Sequence, residues 1–371
     1  MQRFITIVLG VIFLSSSAVA FATPAEDHLQ LINISDPPLE RHIALLLPLE
    51  SHSFGAAAQI VKEGFTAATM REQPLSLVIR VYATTDDPLD IFSTYQEAIA
   101  TGAVFVVGPL TRDGVSAMAS SKILEVPTLA LNIVDNSTVL PSKLYLCGLQ
   151  MEAEAGQLAK LALTSNKSHA IIISDDSSLS RRLQTAFAER WQSEQGRTAE
   201  SFRYDENPAK LQQFRSLTAG THHLIFLALD AAKSRQLRAY LDPEVPVYAT
   251  SQIFSGNDNF LQNNDLDGIY FVDMPWLLQP DHPAVMAYHH TDKDRSADMQ
   301  RLYALGIDAF RLMTHLLQLQ PVDEIAFDGV TGSVRYVPPN QFIREPIAAQ
   351  FQHGKAQLIK LPADVAPHEG Q

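Results

Sequence analysis

Apolar positions along the chain follow two patterns that take turns. Ile43–Leu47 is wholly apolar; Pro48, Glu50, Ser51 and Ser53 interrupt; then Ala57, Ile60, Val61, Gly64, Phe65 and Ala68 recur at helical spacing. The first run reads as a buried strand and the second as the stripe of a helix. Further strands are expected at Leu77–Tyr82, Ala103–Val107, Pro127–Leu131 and Leu144–Cys147, with helices that include Tyr95–Ala100 and Val115–Leu124 between them. The pattern then restarts. Helices at Glu152–Leu163, Leu179–Gln195, Leu211–Leu217 and Ala231–Leu241 alternate with strands at Ala170–Ser174, Ser201–Tyr204, His223–Leu227 and Pro246–Thr250. Beyond Ser251, Gly268–Val272 reads as a strand, Tyr303–Leu317 as a helix, and Phe327–Ile359 as a short antiparallel ribbon turning at Gly329 and Gly332.

Strands that alternate with helices imply right-handed crossovers and parallel sheets. Unbroken apolar strands are those covered by helices on both faces. Two such series in tandem give the expected fold class: α/β, two doubly wound parallel-sheet lobes with a cleft between them.

The N-terminus has a different character. Arg3 precedes an apolar run from Phe4 to Leu14, and small residues follow to Ala22. That layout is a secretory signal peptide, expected over residues 1–22, and it is short for a membrane span. Residues 23–41 are expected to be a leader without a fold of its own, and residues 362–371 a flexible tail. The chain is therefore expected in the periplasm. Cys147 is the one cysteine among 371 residues, so no intramolecular disulfide and no lipid anchor at the signal boundary are expected. It lies in KLYLCGL, where a thiol acts as a small buried hydrophobe. A formal net charge of −13 repels phosphate backbones and argues against nucleic acid as a partner.

Enzyme signatures are missing where they would be needed. The turn after the first strand, Pro48-Leu49-Glu50-Ser51, has none of the glycines that bring a backbone close to a pyrophosphate. No phosphate-binding P-loop, nucleophile elbow or zinc-ligand spacing is present; His222-His223 and His289-His290 read as surface residues. No catalytic residue, cofactor or metal is therefore expected. Asp86-Asp87 and Asp175-Asp176 follow strands, where carboxylates cap the next helix. What remains is a set of polar and turn residues at strand carboxyl ends, where open parallel sheets bind ligands. They are Leu49, Glu50, Ser51, Thr111, Arg112, Asn132, Asp175, Asp176, Ser251 and Gln252, expected to rim an interlobe cleft able to take a small-molecule ligand. Trp276, beside Pro275, is a candidate partner contact, or else packs under its own loop.

VVGPLTRDGVSAM followed by VPTLALN resembles the type I periplasmic-binding-protein architecture, the group of the branched-chain amino-acid receptors. More narrowly, RHIALLLPLESHSFGAAAQIVKEGF, VVGPLTRDGV, LALN, GIYFVDMPWLL, ALGIDAFRL and FDGVTGSVRY resemble the penicillin-binding-protein activator family, LpoA-type or LppC. The resemblance runs from Arg41 to Lys360. It implies three crossings between lobes, near Gly148, Ser251 and Ala326. Lobe 1 would then be residues 42–147 plus 252–325, and lobe 2 residues 148–251 plus 326–361. It also implies a non-catalytic role in which a class A penicillin-binding protein is the partner and peptidoglycan synthesis is regulated by contact. The alternative it leaves is a solute receptor serving a transporter or sensor. Family members are described with an N-terminal helical repeat domain and a lipid anchor; here about twenty residues separate Ala22 from Arg41, and no cysteine stands at the signal boundary. The receptor comparison places Thr111 and Asn132 at the ligand-holding loops. Arg112 stands where those loops are small, and Asp175 and Ser178 where receptors place an aromatic, so tight binding of a free amino acid is not expected.

Overall fold

Most strand–helix units start from a short apolar strand covered on both faces; the sheet-edge strands Val78–Ala83 and Thr198–Arg203 are partly exposed. In the first lobe β1 (His42–Leu47), entirely buried, leads to α1 (Gly55–Arg71); β2 (Val78–Ala83) to α2 (Pro88–Ala100); and β3 (Ala103–Val107) to α3 (Arg112–Ser120). β4 (Thr128–Ala130) and β5 (Leu144–Cys147) complete the parallel part. The second lobe repeats the plan. It runs α4 (Met151–Leu163), β6 (His169–Ser174), α5 (Ser178–Gln192), β7 (Thr198–Arg203), α6 (Pro208–Thr218), β8 (His223–Ala228), α7 (Ala231–Arg238) and β9 (Val247–Ala249). Then come β10 (Ile269–Asp273), the short helices α8 (Pro275–Leu278) and α9 (Pro283–Met286), and the long α10 (Ala297–Leu317). β11 (Ala326–Asp328), β12 (Ser333–Val337), β13 (Gln341–Glu345), β14 (Ile347–Gln352) and β15 (Lys355–Leu358) follow. The computed structural model describes residues 40–72, 75–121, 124–134, 139–193, 197–256, 263–288, 295–318 and 321–359, which form one compact unit. The expected signal peptide, the leader up to residue 39, His289-His290 and the tail lie outside the described residues.

Among the described residues there are two sheets. The first has the order β11-β12-β13-β5-β4-β3-β1-β2, the second β15-β14-β10-β9-β8-β6-β7. The parallel cores, β2-β1-β3-β4-β5 and β7-β6-β8-β9-β10, share one doubly wound order, so the expected pair of doubly wound lobes is present. Helix starts are set by capping side chains: Asp87 accepts from the Leu89 amide, Thr111 from Gly114, Ser177 from Ser180 and Asp230 from Lys233. Of the acidic pairs expected to cap, Asp87 does so before α2. Before α5 the cap is Ser177, whose own amide is held by Asp175 at 2.8 Å.

The lobe boundaries differ from the expectation. The expected boundaries put Ile269–Asp273 in lobe 1, yet it pairs in parallel with β9 and belongs to the second sheet. They put residues 326–345 in lobe 2, yet β13 pairs with β5 and extends the first. The chain passes between the sheets at Gly148–Gln150, then at Met274 rather than Ser251 and at Pro346 rather than Ala326. The reason is that β10 and β13 are five-residue strands whose own pattern does not choose between the two sheets. What decides is the next element: α10, packed on α1 with Phe65 and Phe310 edge to face at 5.3 Å, draws the chain back only after β10. This contact is very close. A Cβ at Gly306 would lie 2.2 Å from the Val61 carbonyl oxygen, and one at Gly64 would lie 2.0 Å from that of Tyr303.

Candidate functional site

Between the lobes lies a cavity of about 500 Å³, within the range of small-ligand pockets. Lobe 1 contributes Phe54, Leu110, Thr111, Arg112, Leu131 and Asn132; lobe 2 contributes Met151, Glu152, Leu179 and Arg182. Of the residues expected at the cleft, the structure brings Thr111, Arg112 and Asn132 together there. The polar groups of two of them are already engaged. Thr111 is buried and its hydroxyl accepts from the Gly114 amide at 3.3 Å. Asn132 donates to the Leu110 carbonyl at 2.9 Å and accepts from the Ile133 amide at 2.9 Å. Both therefore hold their own loops, a role consistent with short polar side chains at turns.

The other expected rim residues sit elsewhere. Ser51 is buried and accepts from the Phe54 amide at 3.0 Å, Leu49 packs against the first core, and Glu50 points to solvent. Asp176 is exposed and pairs with Arg203. Asp175 pairs with Lys233 at 2.5 Å. Burial alone would raise its carboxyl, but Lys233 and Ser177 outweigh that and hold it at about 2. Ser251 is buried behind the cavity, and Gln252 follows it in a short 3₁₀ turn. Trp276 is only 4% exposed and packs, tilted, against Tyr303 with ring centroids 5.4 Å apart, so it is core and not a surface anchor. Cys147 is buried as expected, and burial pushes its thiol up to about 12.

The centre of the cavity is a cross-lobe ion cluster absent from the expectation. Oε1 of Glu152, in the first turn of α4, accepts from Arg182 Nε at 2.7 Å and from Arg112 Nη2 at 3.3 Å. Behind it, two fully enclosed ion pairs tie the crossings. Arg344, just before the Pro346 crossing, meets Glu154 at 2.5 Å and also donates to the Leu149 carbonyl of the first crossing. Asp273, just before Met274, meets Arg301 of α10 at 2.6 Å. Both pairs converge on the main chain of Ser251: Glu154 accepts from its amide at 3.0 Å, and Arg301 donates to its carbonyl at 2.8 Å. Burial raises the Glu154 carboxyl, with Arg344 opposing. Burial lowers Arg301, but Asp273 outweighs it, and the guanidinium stays charged. Asp308, also raised by burial, accepts from the Val330 and Thr331 amides and the Thr331 hydroxyl at 3.1, 2.8 and 2.6 Å. This fixes the β11–β12 hairpin, whose Gly332 has φ +127°, a region that favours glycine.

Charged residues inside helical patterns read as solvent-facing in a sequence, which is why Glu152, Glu154, Arg182 and Arg301 escaped notice. The one usable signal was the stretch of blocks GIYFVDMPWLL, ALGIDAFRL and FDGVTGSVRY. Their Asp273, Asp308 and Thr331 all lie in this hinge. Among the described residues no group of His, Cys, Asp and Glu could hold a metal ion.

Two lobes of one winding order, joined by three crossings around a cleft, define a type I periplasmic-binding-protein-like architecture. The chain belongs to the LppC family, described as "LppC putative lipoprotein", which matches residues 16–354. It is 26% identical over 335 residues to the penicillin-binding protein activator LpoA of Photobacterium profundum, covering 79% of this chain and 53% of that one. The chain thus spans about half the length of the curated relatives it matches. Among solved structures, a "putative branched-chain amino acid ABC transporter" from Chromobacterium violaceum is 37% identical with a TM-score of 0.71, covering 84% of this chain and 99% of that one. The C-domain of LpoA from Haemophilus influenzae shares the fold, with a TM-score of 0.73 at 23% identity over 86% of this chain and all (100%) of that one.

Proposed function

We propose that this chain is a non-catalytic periplasmic regulator that acts on a class A penicillin-binding protein by contact, in the manner the name of its LpoA relatives describes. The observation that carries this reading is the family match across residues 16–354, in a chain whose cleft directs its polar groups inward instead of offering them to a substrate. No helix of the described residues is long and apolar enough to cross a membrane. Thr111 and Asn132 hold their own loops, and Glu152 is gripped by two arginines, so a free amino acid would find few open partners. The identity with the Chromobacterium violaceum protein and the cavity of about 500 Å³ favour a second reading, a solute receptor.

The test uses the mature chain immobilised against purified class A penicillin-binding protein, with glycan-strand synthesis followed alongside. Saturable binding together with a faster synthesis rate supports the regulator. Capture of a transporter permease from periplasmic and membrane extract, with no synthase bound, would establish the receptor instead.

A further inference from the structure

We propose that Arg112 and Arg182 form a two-lobe carboxylate clamp that this chain fills with its own Glu152. The cleft is then a latent site for an aliphatic carboxylate, and this does not depend on any contact with a synthase. The argument starts from one oxygen. Glu152 Oε1 takes a guanidinium from α3 of lobe 1 at 3.3 Å and another from α5 of lobe 2 at 2.7 Å. Charge-assisted bonds from two arginines converging on one oxygen are how a protein holds an anion, and here the anion is covalently part of the chain.

The surroundings match such a ligand. The walls are Leu110, Leu131, Leu149, Met151, Leu179 and Leu305, so the body next to the carboxylate would be aliphatic. Glu152 is about one quarter exposed, with 23% of its side chain accessible, so it can swing out without unpacking a core. A tethered carboxylate competes at an effective concentration on the order of millimolar or above, which masks the clamp from a weak external anion.

The masking makes a gain of binding the informative result. Titration of the full chain with 3-methylbutanoate is followed by calorimetry, with near-ultraviolet circular dichroism as the check on folding. Glu152→Ala is expected to bind at least about ten-fold more tightly than the wild type, a difference of roughly 1.4 kcal/mol. Glu152→Gln, which keeps the shape and loses the charge, should move the same way and serves if the alanine variant does not fold. Adding Arg182→Ala to either should abolish the gain, and 3-methylbutanamide should bind none of them. Equal affinity of wild type and both Glu152 variants, a gain that survives Arg182→Ala, or binding of the amide would each overturn the clamp.

Discussion

Replacing Arg344 with methionine isolates the energetics of the hinge. Arg344 and Glu154 have side chains only 3% and 1% exposed, so the change leaves a buried carboxylate without its counter-charge. Breaking a buried pair from one side costs roughly 3–5 kcal/mol. The Leu149 carbonyl loses its donor as well, so about 4 kcal/mol is a fair central value. With a urea slope of about 3 kcal/mol/M, the unfolding midpoint should fall by about 1.3 M near neutral pH. The pH dependence gives a second handle. Without Arg344 the folded-state carboxyl rises further above its ordinary 4.5. A raised carboxyl favours the fold below its unfolded value and loses that contribution as pH rises through the folded one. The penalty should therefore shrink from about pH 8 towards pH 5. Glu154→Gln combined with Arg344→Met should recover most of the loss, since a neutral pair replaces a stranded charge. A loss below about 1 kcal/mol, or a double variant no better than the single, would refute the view that this pair is desolvated and mutually dependent.

Three further outcomes follow from packing and charge. Gly306→Ala places a methyl group 2.2 Å from the Val61 carbonyl oxygen, so α1 and α10 must part, and thermal unfolding should show a loss of about 1–3 kcal/mol or more. Trp276→Ala should cost about 3–5 kcal/mol in the same assay, as an emptied core site does, where a surface anchor would cost almost nothing. Asp175→Asn should lower stability modestly at neutral pH, by about 1 kcal/mol given that Lys233 is partly exposed. Because the Asp175 carboxyl is depressed to about 2, the wild type should lose that contribution as pH falls from about 4 towards 2, and the variant should not.

The layered fold could be read from the chain because β3 is apolar end to end and β1, β6 and β8 are apolar between their terminal residues, a pattern that strands covered on both faces require. Sheet membership could not. β10 and β13 are short strands at sheet positions that either lobe could supply, and only the α1–α10 packing decides between them. Loop positions at strand ends located Thr111, Arg112 and Asn132, but not that two of these would turn their hydrogen bonds inward. Glu152 and Arg182 are ordinary helix-surface residues until α4 packs on α5 and the first lobe brings up Arg112, since the two partners of Glu152 lie 30 and 40 positions away.

The position of the third crossing constrains how the molecule can be made. β14 pairs with β10 and arrives only at Ile347–Gln352, so a ribosome must release the chain through residue 352 before the second lobe can seal its exposed strand. Neither half can be cut free as a self-sufficient fragment, and any nascent intermediate carries an open edge inviting wrong partners.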